Sequence, residues 1–73
     1  MIKLTSIYRN INEIQESEVY LNPMHFKSFH SEFHQDFRLQ ITCIYWSILG
    51  CGPTCVKESP EEIVKLIEKN NEN

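Results

Sequence analysis

Two short stretches in the first third of the chain alternate between apolar and polar residues. In residues 1–5 the apolar side chains of Ile2 and Leu4 occupy alternate positions, and the same period returns over residues 18–22. A period of two is typical of a strand with one buried face. The sequence therefore predicts two strands there, joined by a polar connection over residues 6–17.

The longest alternating stretch lies further along the chain. Apolar residues fill every second position from Phe37 to Tyr45, and the opposite face becomes apolar toward Trp46. This pattern is typical of a strand that is buried on both faces toward its end. The segment Gly50–Pro53 then predicts a turn, because glycine adopts positive φ at no steric cost. We therefore expect a hairpin over residues 37–57.

The strongest local signal predicts a C-terminal helix over residues 59–69. Ser59 and Glu62 have the spacing of a capping box, and Pro60 suits the first helical position. One face of the segment is apolar and carries Ile63, Leu66 and Ile67. We expect residues 70–73 to fray beyond the helix.

Charge and hydropathy narrow the class of protein. The chain of 73 residues has a formal net charge of −3, and its seven Lys and Arg residues are scattered singly. Nucleic-acid binding needs clustered positive charge, so we expect no nucleic-acid partner. The most apolar run, residues 41–55, is too short and too interrupted for a bilayer span, and we find no signal peptide. The expected location is cytoplasmic, without direct membrane insertion.

Cysteine and histidine positions define the candidate metal ligands. The three cysteines form an odd set in a chain without an export signal, which favours free thiols over a disulfide framework. His30-x3-His34 and Cys51-x3-Cys55 each have a spacing that zinc ligand pairs use. The histidine spacing would place both imidazoles on one face only if that segment were helical. We favour satisfied histidines and buried thiols, and we expect no cofactor.

The spacing of the remaining residues does not predict catalysis. A thiol nucleophile needs a base and an orienting group around a cleft. Cys51 is the most reactive candidate because it lies in the predicted turn, but we favour the interpretation that it is an incidental turn cysteine. No phosphate-binding loop surrounds the only glycines, Gly50 and Gly52. We therefore predict a protein that is not an enzyme and assign no catalytic residue.

Aromatic side chains are the best candidates for a binding surface. Aromatic residues on an exposed sheet face often mark interfaces, although they more commonly belong to a core. Neighbouring residues of a strand point to opposite faces, so we expect either Tyr45 or Trp46 at the surface. The predicted binding residues are Tyr45, Trp46, Cys51, Phe29 and Phe33.

Three segments of the chain occur together in a known pattern: MIKLT at the start, EVYLNP after the first connection, and VKESPEEIVKLIEK at the end. This set, about half of the chain, resembles the small flagellar FlbD/SwrD family and similar small proteins encoded by bacteriophages. The resemblance implies an opening strand, a strand that ends in Asn-Pro, and a strand followed by a helix. It implies no catalytic positions. The segments Ser6–Ser17 and Ile48–Cys55 depart from the short turns of that family.

Residues 24–34 fit two kinds of structure. Phe26, Phe29 and Phe33 recur at helical spacing, whereas Phe29, Ser31 and Phe33 also fit a strand. The family resemblance implies a strand, which we favour. Residues 1–73 are thus predicted to form one α+β domain, a small antiparallel sheet of four to five strands with one C-terminal helix.

The expected function is non-enzymatic binding. We expect a small phage-encoded protein that binds and inhibits a host protein or sequesters a small ligand. A bacterial flagellar motility accessory protein is the alternative, and a small zinc-binding module is a second alternative. Since a short chain buries little apolar surface, we also expect a homo-oligomer.

Overall fold

The computed structural model describes residues 1–71, which form five β-strands followed by one α-helix. The strands are β1 (Ile2–Asn10), β2 (Glu13–Leu21), β3 (Phe26–His34), β4 (Leu39–Trp46) and β5 (Thr54–Val56). Helix α1 covers Pro60–Asn71, and a short 3-10 turn covers Pro23–His25. The antiparallel sheet with one C-terminal helix confirms the predicted α+β class.

The sheet consists of two long hairpins that a short central strand joins. The strand order is β2-β1-β5-β4-β3, and every neighbouring pair is antiparallel. Val56 of β5 pairs with Ser6 of β1 on one side and with Thr42 of β4 on the other. Since β5 lies between β1 and β4 in this order, it connects the two hairpins.

Helix α1 covers one face of the sheet. Its buried residue Ile63 belongs to a core that also contains Ile2, Leu4, Ile44 and Val56. The rest of the apolar helix face, Leu66 and Ile67, is half-buried around this core. Within residues 1–71, no helix has the length and apolar character needed to cross a membrane.

The start of α1 has part of the predicted cap. The Ser59 hydroxyl accepts a hydrogen bond from the Glu62 amide at 3.2 Å, and the Ser59 carbonyl accepts one from the Ile63 amide at 3.0 Å. The hydrogen bond from the Glu62 amide to the Ser59 hydroxyl is one of the two bonds that define a capping box. The helix continues to Asn71, so the predicted end at residue 69 is too early, because no glycine or proline follows to stop it. Residues 72 and 73 lie outside the described part of the chain.

The other face of the sheet has a second apolar cluster. Phe37 folds back from the turn between β3 and β4 and packs against Ile7, Ile41 and Cys43. Strand β4 contributes to both clusters, and its residues from Ile41 to Ile44 are all buried. The strand is therefore buried on both faces, but over its middle and not toward its end as predicted, because Tyr45 and Trp46 are half-buried.

The first hairpin corrects the prediction for residues 6–17. β1 and β2 pair along their full length, from Ile2 opposite Leu21 to the tip, so this segment is strand and not an irregular connection. Its outer half is solvated on both faces, which removes the alternation that predicts a strand. The tip is formed by Ile11 and Asn12 and contains no glycine, so the usual turn signal is missing as well.

The strand interpretation of residues 24–34 agrees with the structure, in which Phe26–His34 form β3. The Asn22 side chain accepts a hydrogen bond from the Met24 amide at 3.0 Å, so the Asn-Pro pair starts a 3-10 turn and not an α-helix. β4 and β5 pair as expected for the predicted hairpin over residues 37–57. Phe37 itself belongs to the preceding turn.

The tip of the first hairpin contains a strained residue. Ile11 has a φ of 52°, and its side chain is 86% exposed. A left-handed backbone is costly for residues other than glycine, and a β-branched side chain fits it poorly. The exposed side chain gains no burial that offsets this cost.

We expect Ile11→Gly to stabilise the protein. The substitution removes a conformational cost of about 1–2 kcal/mol, and the freedom of glycine in the unfolded chain offsets part of this, which leaves a gain of roughly 0.5–1 kcal/mol. Ile14→Gly is the matched control, because Ile14 is also exposed but lies within β2. Urea unfolding measures both variants. Equal losses of stability in the two would contradict the strain at the tip.

Candidate functional site

Three of the predicted binding residues line one groove. Tyr45 and Trp46 at the end of β4 and Cys51 in the following turn meet residues of β3. The β3 residues are Lys27, Ser28 and His30. The groove has a volume of about 330 Å³ and is open to solvent. We call it the aromatic groove.

A register shift in β3 shapes the aromatic groove. Phe26 pairs with Trp46 and Ser28 pairs with Tyr45, so Lys27 is an extra residue without a partner on β4. Such a bulge bends the strand and changes the direction of its side chains. The sequence predicts only one of Tyr45 and Trp46 at this surface, because neighbouring residues of a strand point to opposite faces. Both line the groove.

The two predicted phenylalanines lie outside the aromatic groove. Phe29 is opposite Ile44 and packs edge-on against Phe26, around the core under α1. Phe33 is 61% exposed further along β3, opposite Gln40. Both lie on the α1-facing side of β3, whereas Ser28 and His30, which line the groove, lie on the other side. Phe29 is therefore a half-buried residue at the edge of the core.

Glu32 is the centre of a hydrogen-bonded cluster beside the aromatic groove. Its carboxylate lies 2.8 Å from His30 Nε2 and accepts a hydrogen bond from the Tyr45 hydroxyl at 3.3 Å. The buried Cys43 pairs with His30 across β3 and β4, which places its side chain on the same face. The rings of His30 and Tyr45 stack, with centroids 5.3 Å apart and an interplanar angle of 15°. The cluster thus fixes two side chains of the groove wall.

This arrangement shifts three pKa values. Hydrogen bonds from Cys43 and from His30 lower the pKa of the Glu32 carboxyl. The charge of Glu32 and burial raise the pKa of the Tyr45 hydroxyl. Burial, together with the hydrogen bond to Glu32, raises the pKa of Cys43 to about 12. At neutral pH Glu32 is therefore ionised, whereas Tyr45 and Cys43 keep their protons.

Two members of the cluster are unsuited to catalysis at neutral pH. A carboxylate with a lowered pKa, such as Glu32, is a weak base, and the protonated Cys43 thiol is a poor nucleophile. Cys51, the most reactive thiol predicted from the sequence, is exposed at the groove. The groove presents an aromatic surface, the ammonium group of Lys27 and several hydrogen-bonding groups to a binding partner.

The four candidate zinc ligands do not converge. His30 and His34 do share one face, as alternate residues of a strand can, but three residues of β3 lie between them, which separates their Cα atoms by about 13 Å. His34 stacks on Phe37 with ring centroids 4.3 Å apart. Cys51 lies in the turn, and Cys55 belongs to β5. In the described part of the chain, no three His, Cys, Asp or Glu side chains are placed to hold a metal ion.

A larger groove of about 470 Å³ lies between β1 and α1, and charged side chains of both signs line it. One of them, Glu58, is already engaged within the protein. Its carboxylate accepts hydrogen bonds from the Thr5 amide at 2.8 Å and from the Thr5 hydroxyl at 2.9 Å. Glu58 thereby extends the hydrogen bonding of β1 beyond the end of β5. We assign this groove to the fold and take the aromatic groove as the candidate site.

Two residues of the site were not apparent from the sequence. Lys27 is one of seven scattered basic residues, and no sequence pattern marks it as a bulge. Glu32 has a weak signal, because its period-two spacing from His30 places both on one face once this segment is taken as a strand. That signal depends on the assignment of residues 24–34.

Comparisons with known proteins identify no relative of this chain. None of the family models, curated proteins and solved structures that we compared with it matches. The fold and the groove together therefore define only a class, a small α+β protein with an anchored aromatic surface at the end of its sheet.

We expect Glu32→Gln to change how stability depends on pH. The folded-state pKa of Glu32 lies below the ordinary value of 4.5, so ionised Glu32 stabilises the fold above that pH, and this stabilisation is lost as the pH falls through the folded-state pKa. Thermal unfolding should show the variant less stable than the wild type at about pH 7, and this difference should be smaller at about pH 2.5.

The matched control for this experiment is Glu13→Gln. Glu13 is exposed at the hairpin tip, outside the Glu32 cluster, so this variant should follow the wild type at both pH values. A stability difference between Glu32→Gln and the wild type that does not change with pH would contradict the role of the Glu32 charge.

Proposed function

We propose that this protein is a non-enzymatic binding protein and that a partner protein docks into the aromatic groove. The observation that carries the proposal is the stack of His30 on Tyr45 beside Trp46, which presents aromatic rings at an open surface. Aromatic residues are enriched at interfaces because they bury large areas and keep a polar group for hydrogen bonding.

The rings of the aromatic groove are held in place by the protein itself. The Trp46 indole donates a hydrogen bond to the Thr54 hydroxyl at 2.9 Å, and its ring packs edge-on against Phe26 with centroids 5.2 Å apart. Tyr45 is bonded to Glu32. Side chains that are already ordered lose little conformational entropy when a partner binds. This supports a docking surface over an incidental patch.

The charge at the groove supports a partner segment that carries a carboxylate. Lys27 is exposed on the bulge and takes part in none of the ion pairs formed among residues 1–71. A carboxylate beside an apolar side chain would complement Lys27 and the ring of Trp46. We therefore propose an acidic segment with an apolar anchor as the binding partner.

The family resemblance supports two biological settings for such binding. In the first, a phage-encoded protein binds and inhibits a host protein or sequesters a small ligand. The alternative is a bacterial flagellar motility accessory protein. Neighbouring genes distinguish the two, because phage genes next to this one would contradict the motility role and flagellar genes would contradict the phage role.

A random peptide library displayed on phage tests the proposed binding. We expect selection on the immobilised protein to enrich peptides that combine an apolar or aromatic residue with Asp or Glu. Fluorescence anisotropy then measures the affinity of the enriched peptides for each variant. Tyr45→Ala and Lys27→Glu should each weaken binding about tenfold or more, because they remove the anchor surface and the charge pair.

Two control variants preserve the groove. Tyr20→Ala changes a tyrosine that is 62% exposed on β2, at the opposite edge of the sheet, and Lys65→Glu changes an exposed charge on α1. Both should bind the peptides as the wild type does, with circular dichroism confirming that every variant folds. Failure to enrich any peptide, or equal losses in groove and control variants, would contradict the proposal.

Self-association stays a prediction that the sheet edges support. The outer strands β2 and β3 are each nine residues long, and each has a neighbouring strand on one side only. Unpaired strand edges favour pairing with another chain. Sedimentation equilibrium should therefore give the mass of a dimer or larger assembly. A monomer mass at every concentration would show that the edges do not pair.

A further inference from the structure

Two cysteines lie directly opposite each other in the middle of the sheet. Cys43 of β4 pairs with Cys55 of β5. Directly opposed residues of an antiparallel pair have their side chains on the same face. Both side chains belong to the apolar cluster on the side away from α1, and both thiols are free.

The backbone hydrogen bonds around β5 show whether Cys43 and Cys55 are a hydrogen-bonded or a non-hydrogen-bonded pair. The Lys57 amide donates to the Thr5 carbonyl at 2.9 Å, which makes Ser6 and Val56 a non-hydrogen-bonded pair between β1 and β5. The backbone groups of Val56 therefore point away from β1, toward β4. Because this direction alternates along a strand, the backbone groups of Cys55 point toward β1 and not toward β4.

Cys43 and Cys55 are consequently a non-hydrogen-bonded cross-strand pair. The Cα atoms of such pairs are about 4.5 Å apart, closer than those of hydrogen-bonded pairs. Disulfide-bonded cysteines have Cα separations of about 4.4–6.8 Å. A disulfide can therefore join these two strands with little movement of the backbone.

We propose that Cys43 and Cys55 form a redox-modification site, at which a low-molecular-weight disulfide such as glutathione disulfide reversibly generates an intramolecular disulfide. The site is separate from the aromatic groove and does not depend on the function proposed for it. Cys51, the third cysteine, lies in the exposed turn between β4 and β5 and has no cross-strand partner in the ladder.

The exposure of the two thiols sets the order of the exchange. Cys55 is partly exposed, whereas Cys43 is 5% exposed. The Cys55 thiolate attacks one sulfur of the small disulfide, so a mixed disulfide forms and one small thiolate leaves. Cys43 loses its proton to solvent, and its thiolate attacks the Cys55 sulfur. The second small thiolate then leaves.

The exchange balances without any further reagent. Two protein thiols are oxidised to one disulfide, and one small disulfide is reduced to two small thiols, which take up the two protons. The high pKa of Cys43 makes the second step slow, because little thiolate is present at neutral pH. Once formed, the bond ties β4 to β5, the strand that connects the two hairpins.

Cys51→Ser is the variant that tests the proposal, because it leaves only Cys43 and Cys55. The folded variant is equilibrated in glutathione buffers of graded redox ratio, and the remaining thiols are then alkylated. Chymotrypsin cleaves after Tyr45 and Trp46, which separates Cys43 from Cys55, so mass spectrometry detects the disulfide as two linked peptides. The control adds Cys55→Ala to the same chain.

We expect linked Cys43 and Cys55 peptides within one chain, their release by dithiothreitol, and a Tm higher by roughly 10 °C in the oxidised protein. The control should give no linked peptides. In the wild type, the same bond should predominate over one between Cys51 and Cys55. The proposal is overturned if the protein stays reduced at every glutathione ratio, or if Cys55 forms only the mixed disulfide with glutathione. It is also overturned if the linked peptides come only from two different chains, or if the wild type forms mainly a Cys51–Cys55 bond.

Discussion

Val56 lies at the centre of the sheet, and the two hairpins are joined through its strand. Its side chain is fully buried, and it pairs with Ser6 on one side and with Thr42 on the other. β5 is only three residues long, so the next residues reinforce it. Glu58 bonds to Thr5 through its carboxylate, and its carbonyl accepts a hydrogen bond from the Thr42 hydroxyl at 2.6 Å. One short segment therefore holds β1 and β4 at a fixed spacing and leads directly into α1.

This arrangement also determines where a binding surface can form. The middle of β4 is buried on both faces, so its side chains reach solvent only at the ends of the strand. Tyr45 and Trp46 lie at one such end, next to the bulge at Lys27. Glu32 anchors Tyr45 from β3, and Thr54 anchors Trp46 from β5. The rings are thus half-buried, held by hydrogen bonds and still accessible to a partner.

Elements that bury one regular face could be predicted from the sequence, and elements without such a face could not. The cap at Ser59 and the alternation along β4 identified a helix and a buried strand, because burial imposes a period on the residues. The outer half of the first hairpin contacts solvent on both faces, so residues 6–17 carry no comparable period. The bulge at Lys27 and the opposition of Cys43 and Cys55 depend on strand register. Register depends on the hydrophobic pattern and on the geometry of the connecting turn, and the irregular connection over residues 47–53 does not fix it from the sequence.

Hydrogen exchange at β5 tests most directly the claim that this strand joins the two hairpins. NMR can follow the amides of Val56 and Lys57 and compare them with amides in the middle of β4. If β5 joins the hairpins, the two β5 amides exchange only through global unfolding, with an opening free energy equal to the free energy of unfolding measured with urea. Exchange of these amides at a much lower opening free energy, while those of β4 stay protected, would contradict it. The hairpins would then hold together without β5.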